Sequence, residues 1–187
     1  VDSIDHHPRR LEVIRLGHPV LRQVAEPVPE AEFGGSRLHD LARDLVRTMF
    51  DEEGVGLAAP QVAEGLRLFA YWVPETDDSP TIGPTVLVNP EIRSAGSELV
   101  EGWEGCLSIP GLRGKVPRAP RIKVKARDIE GQPISLTVDD FHARVIQHEH
   151  DHLDGIMFLD RMTSVRSLAF EPEWERFILP SEDAGGE

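Results

Sequence analysis

The feature that most restricts the fold is an order: one helix-patterned segment, then a series of strand-patterned runs, then a second helix-patterned segment. Over residues 36–53, Leu38, Leu41, Leu45 and Met49 recur at spacings of three and four, which makes one apolar stripe that Val46 and Phe50 widen. Ser36 is a favourable N-cap and Gly54 a stop. Far along the chain, Asp139 or Asp140 caps a second helix that runs to Leu153, with Gly155 closing it. Between them, Arg67 to Val73 is mostly apolar and Thr85 to Val88 is rich in β-branched residues. In Arg121 to Arg127, Ile122, Val124 and Ala126 alternate with Lys123, Lys125 and Arg127, the period of a half-buried strand. A turn at Gly131 leads into Ile134 to Val138, and Leu11 to Leu16 reads as a further short strand. No repeat or linker divides the chain, so the expectation is an α+β fold with a largely antiparallel sheet.

A chain of 187 residues, 40% hydrophobic and 28% charged, suffices for one domain with a real core. Its expected division is a disordered segment over 1–10, a single catalytic domain over 11–165 and an acidic extension over 166–187. The net charge of −13 repels phosphate backbones, so no direct nucleic-acid binding is expected. A single cysteine, Cys106, excludes an intramolecular disulfide framework. Val1 to Arg10 is polar without the apolar run of a signal peptide, and no stretch reaches the ~20 apolar residues of a membrane helix. The cytoplasm is the expected location, with no membrane partner.

The strongest local signal is His148-Glu149-His150-Asp151-His152, an H-E-x-x-H on the second helix. Residues four apart share a helix face, so His148 and His152 can reach one metal ion together. Glu149 sits about 100° around the helix from His148, in reach of water beside that metal, where it supplies a base. The plain alternative is an exposed helix that happens to carry three histidines and two acids. Catalytic sites of this kind have three protein ligands and one open position. Six residues after the second histidine, where one class of metallopeptidase has its third ligand, stands Phe158. Glu171, Glu173 and Glu175 lie where another class has a glutamate ligand, and they keep an H-E-x-x-H metallopeptidase open as a competitor.

Cys106, in Glu104-Gly105-Cys106-Leu107-Ser108, is the other candidate ligand. A lone cysteine is more often a small buried hydrophobe. Here Gly102, Gly105, Pro110, Gly111 and Gly114 crowd around it and imply a tightly turned backbone whose N–H groups can face an anion. A thiolate would also neutralise one charge of a divalent ion. A third stretch, Gly54-Val55-Gly56-Leu57-Ala58-Ala59-Pro60-Gln61, lacks the Lys and Ser/Thr of a phosphate loop. Its glycines permit close backbone approach, and Gln61 is either a structural amide or a donor to a developing oxyanion.

Taken in order, these three stretches resemble the signature motifs of the peptide deformylase family. Gly54 to Gln61 matches its Gly-Leu-Ala-Ala-x-Gln motif, Glu104 to Ser108 its Glu-Gly-Cys-Leu-Ser motif, and Gln147 to Gly155 its Gln-His-Glu-x-x-His-Leu-x-Gly motif. The likeness spans roughly residues 11–165. It implies largely antiparallel sheets packed around a central metal-binding helix. It implies that Cys106, His148 and His152 bind one divalent metal ion, Fe²⁺ being the expected one, with Zn²⁺, Ni²⁺ or Co²⁺ also accepted. An iron–thiolate site of this sort would be sensitive to oxidation at Cys106.

The substrates implied are formyl-methionyl peptides, hydrolysed to formate and a free N-terminus. Glu149 would serve as base and then acid, and the Gln61 amide and the Leu107 backbone N–H as oxyanion donors. The peptide backbone would pair with Val55, Gly56 and Gly105, and Arg113 would help hold it. Val55, Trp103, Phe141 and Val145 are expected around the methionine side chain. Arg144 departs from the apolar residue many members carry one turn before the first histidine; it would either point to solvent or alter side-chain preference. Ala63 departs from the common Gln-Val-Gly. Residues 171–187 hold six acids and one arginine, which does not support ribosome contact through a basic tail. A closed, purely structural metal site is the remaining non-enzymatic reading.

Overall fold

The computed structural model describes residues 7–75 and 80–183. The expectations for residues 1–6 and for the last four residues fall outside that range. Arg9 and Arg10, inside it, are tied to Asp44 and Glu52 on the first helix.

Helix α1 spans Ser36–Asp51 and α2 spans Asp140–Leu153. Strands β1 (Gly56–Ala58), β2 (Leu68–Val73), β3 (Ile82–Ser94), β6 (Arg121–Arg127) and β7 (Pro133–Asp139) form one antiparallel sheet in the order β1-β2-β3-β6-β7. Strands β4 (Val100–Cys106), β5 (Ile109–Arg118) and β8 (Ala169–Phe170) form a second, in the order β4-β5-β8. This is the expected α+β architecture.

Strand β2 explains how the layers stack. Its run Leu-Phe-Ala-Tyr-Trp-Val is continuously apolar because both of its faces are covered. Phe69 and Tyr71 pack with Ala143, Ile146 and Leu153 of α2. Leu68 and Ala70 pack with Leu38, Leu45 and Met49 of α1. Strand β6 alternates as expected, with Ile122 and Val124 buried and Lys123 and Lys125 exposed. A third cluster joins Ile109 and Val116 of β5 to Leu21, Met157 and Phe158. Helix α2 thus lies between the large sheet and the small one. Among the described residues no helix is long and apolar enough to cross a membrane.

Several local expectations need correction. Gly35, not Ser36, occupies the N-cap of α1, because a tight turn over Glu30–Glu32 feeds straight into the helix. Asp139 precedes α2 but spends its carboxylate on Arg121, 3.0 Å away. Leu11 to Leu16 makes single backbone bonds from Ile14 to Gln61 and from Leu16 to Ser108, not a ladder. The glycine-rich stretch around Cys106 is a strand pair, not a coil of turns. Its glycines provide room for neighbouring side chains: a Cβ on Gly102 would lie 2.7 Å from the Arg144 guanidinium, and one on Gly105 would lie 3.0 Å from that of Arg113.

A buried charged network fastens the small sheet to α2. Arg118 of β5 donates from Nε and Nη2 to the two oxygens of Glu104 on β4, at 2.9 and 3.0 Å. Its Nη1 donates to Asp151 of α2 at 2.5 Å. Arg161 closes the other side of Asp151 at 2.7 Å. Arg144 of α2 donates to Glu104 at 2.9 Å and to the carbonyls of Val116 and Val100, both at 2.7 Å. Its guanidinium is held by these acceptors although the side chain also borders the cleft, so the charge that looked anomalous in sequence is part of this strut. Burial opposes ionisation of Glu104, but hydrogen bonds from His148 and Arg118 outweigh it and hold the carboxyl well below its usual range.

Removing one member of such a network leaves buried charges without a counter-ion, which costs about 3–5 kcal/mol. Glu104→Ala should lose stability of that order in denaturant titration at neutral pH. Because the native carboxyl is held down, its contribution is complete above the ordinary value of 4.5 and is lost as the pH falls towards the depressed value. The gap between Glu104→Ala and the parent should therefore narrow on acidification.

Candidate active site

Three separate segments deliver the side chains. Cys106 ends β4, where the register with β5 shifts between Glu104 and Cys106 and turns the strand at Leu107-Ser108. His148 and His152 lie on one face of α2, one turn apart, with ring centroids 5.0 Å from each other. Gln61 sits in a short 3-10 turn, Ala59–Val62, just after β1. The Sγ of Cys106 and one ring nitrogen from each histidine all lie within 4.8 Å of one another. Cys106 Sγ is 3.4 Å from His152 Nε2.

The surroundings fix how these groups point. His148 Nδ1 is 2.9 Å from Glu104 Oε2. An ionised carboxylate only accepts, so Nδ1 carries the proton and Nε2 keeps a lone pair for the cluster. Burial disfavours a charged His148, but hydrogen bonds with Cys106 and Glu104 raise its pKa well above the ordinary value; a proton and a cation compete for the same nitrogen. Burial drives His152 in the opposite direction, towards the neutral form that ligation requires. A sulfur and two nitrogens converging in this way, one ring held by a carboxylate behind it, suit a divalent transition metal with a position left open.

Gln61 is oriented without ambiguity. Its Oε1 accepts from the Ala58 N–H at 2.8 Å, so its Nε2 faces Cys106 Sγ at 3.5 Å and Ser108 Oγ at 3.2 Å. Glu149 packs against Gly56, where a Cβ would lie 2.5 Å from its Cδ. Glu149 Oε2 and His152 Nδ1 are buried with no hydrogen-bond partner among the described residues. Burial pushes the Glu149 carboxyl up to about 7, with the Glu104 charge adding and the His148 and Arg118 charges opposing. A carboxyl poised there can both take and return a proton near neutrality.

These groups stand in one cleft of about 1140 Å³. Val55, Gly56, Gly105, Leu107 and Arg113 all line it, as do Trp103, Phe141 and Val145. The structure therefore brings the residues of the three motifs together, with His152 buried behind the cleft lining and joined to Cys106 and His148 in the cluster, whereas Glu173 and Glu175 do not line the cleft. The downstream glutamate ligand is not supported: Glu171 is bound to Arg113, and among the described residues the metal-sized cluster contains only Cys106, His148 and His152. Phe158 stacks beside His148 at 6.4 Å. Sequence reasoning missed the supports Glu104, Arg118 and Arg144. An acid beside a glycine was visible at Glu104, but its burial depends on partners 14 and 40 residues away.

Comparison with known proteins agrees with this geometry. The polypeptide deformylase family model matches residues 10–167. A peptide deformylase 2 from a Nostoc species is 42% identical over 175 residues, covering 92% of this chain and 97% of that protein. A peptide deformylase 2 from Pseudomonas putida is 43% identical over 162 residues, covering 85% and 91%. The Met-Ala-Ser-bound class I type b peptide deformylase from Acinetobacter baumannii superposes with a TM-score of 0.79 at 39% identity, covering 83% of this chain and all of that one. The peptide deformylase from Thermotoga maritima gives a TM-score of 0.73 at 36% identity, covering 85% of this chain and all of that one. The chain belongs to the peptide deformylase family, metal-dependent enzymes that remove the N-terminal formyl group from nascent peptides.

Proposed function

We propose that this deformylase acts at one divalent ion held by Cys106, His148 and His152, with Fe²⁺ as its native ion. The observation that carries the proposal is the convergence of one sulfur and two ring nitrogens within 4.8 Å, in a site that also holds Glu149 and the Gln61 amide. The mixed donor set also accepts Zn²⁺, Ni²⁺ or Co²⁺. Bound there, such an ion supplies Lewis acidity that polarises a carbonyl and acidifies water.

The protein's own groups do the rest. Glu149 takes a proton from the water that attacks the formyl carbon, then delivers it to the departing amine nitrogen. Gln61 Nε2 and the Leu107 N–H donate to the formyl oxygen as negative charge develops on it. Because the Ala58 N–H already holds Gln61 Oε1, this donor needs no reorganisation at the moment of reaction. Val55, Gly56 and Gly105 pair with the peptide backbone, and Arg113 holds a peptide carbonyl. Val55, Trp103, Phe141 and Val145 enclose the methionine side chain. Formyl-methionyl peptides arise where chains are synthesised, so the reading places the enzyme in the cytoplasm. The net charge of −13 argues against nucleic-acid contact, and the acidic residues after 170 argue against ribosome docking through a basic tail.

Formate release from a formyl-methionyl peptide, with metal content assayed on anaerobically prepared protein, tests this reading. Cys106→Ala should abolish release and metal retention together; retained activity would reject the ligand set. Gln61→Ala should lower kcat by about 10²- to 10³-fold with the metal retained. In Gly56→Ala the new methyl group collides with Glu149, and kcat should fall by about 10²-fold. Glu149→Gln, which cannot take up the proton, should abolish formate release with the metal retained; full turnover there would show that the Glu149 carboxylate is not the base.

A further inference from the structure

Residues beyond 167 lie outside the family match, yet they reach the cleft. Strand β8 adds to β5 through Leu112↔Phe170 and Arg113↔Ala169. The helical segment that follows, residues 171–183, begins with Glu171, which lines the cleft. Glu171 Oε1 accepts from Arg113 Nε at 2.9 Å and from Arg113 Nη2. The Trp174 ring packs 5.4 Å from the same guanidinium and 5.8 Å from the Trp103 ring. The C-terminal segment therefore occupies one edge of the Arg113 guanidinium, through Glu171, and one face, through Trp174. The remaining amine, Nη1, is not engaged by it. Nη1 donates to no protein atom among the described residues, and it lies 3.0 Å from where a Cβ on Gly105 would stand.

We propose that Glu171 is a positioning residue for peptide binding: it fixes Arg113 so that Nη1 is presented beside Gly105, along the path of the peptide backbone. The inference rests on the deformylase reading of the cleft and extends it to a segment that the family motifs do not include. A free arginine side chain loses rotamer freedom when it binds a carbonyl. Here the Glu171 carboxylate and the Trp174 face have already taken that freedom away, and β8 pins the backbone at Arg113 itself. Glu171 touches neither the reacting atoms nor the metal cluster, so its effect falls on peptide affinity and not on the chemical step.

Steady-state kinetics with formyl-Met-Ala-Ser separates the two. Glu171→Ala should raise KM by about three- to tenfold while kcat changes by less than about twofold. Arg113→Ala should raise KM at least as much, and the double variant no further than Arg113→Ala alone, because both changes remove one clamp. Glu171→Gln, which keeps an acceptor oxygen, should recover part of the loss. An unchanged or lowered KM in Glu171→Ala, or additive effects in the double variant, would overturn the proposal. Calorimetric titration of the zinc-loaded protein with the peptide Met-Ala-Ser reads the same clamp without turnover: weaker binding by the Ala variant supports it, equal binding rejects it. Failure of the parent protein to release formate would count against the activity, while this titration would still decide the clamp.

Discussion

One carboxylate withdrawn from water, that of Glu104, determines whether the rest of this site can exist. It accepts from Arg118 on both oxygens, from Arg144 on one and from His148 on the other. Those partners belong to β5 and α2, while Glu104 itself belongs to β4, two residues before Cys106. The same few atoms therefore dock the small sheet on the helix, set the tautomer of one candidate ligand and place the thiol opposite it. An ion buried this deeply is costly unless every lone pair is occupied. Here its four protein donors meet that condition, and their geometry leaves little freedom in where the strand ends.

The reacting centre follows from that docking. Strand β4 ends at a register shift and the turn Leu107-Ser108, which bring the Cys106 sulfur to α2. Strand β1 pairs with β2 on the large sheet, and the turn after it carries Gln61 to the opposite wall. Gly56 keeps that wall close enough for Glu149 to rest on bare backbone. Each sheet thus contributes one side of the cleft, and α2 contributes its floor.

Much of this was legible in the residues. The three- and four-residue spacing of Leu38, Leu41, Leu45 and Met49 located α1, the alternation from Ile122 to Ala126 located β6, and the spacing of His148 and His152 put both rings on one helix face. Such signals are local, and a helix or strand repeats them within a few residues. The pair β4 and β5 was not legible, because glycines stand where side chains would have shown alternation; Gly102 makes room for Arg144 of α2 and Gly105 for Arg113 of the neighbouring strand. The roles of Glu104 and Arg144 were hidden for a related reason. A charged residue in sequence looks solvated until its partners, tens of residues away, are folded against it. Glu171 read as a candidate ligand in an acidic tail, and only the β8 pairing reveals that it meets an arginine.

The central claim is that one ion is held by the Cys106 sulfur and two imidazoles, with a position left for a small molecule. X-ray absorption fine structure on the zinc-loaded protein measures that set directly. The account predicts one sulfur at about 2.3 Å and two nitrogens at about 2.0–2.1 Å, with one further light atom completing the shell. A shell of nitrogen and oxygen without sulfur would contradict it.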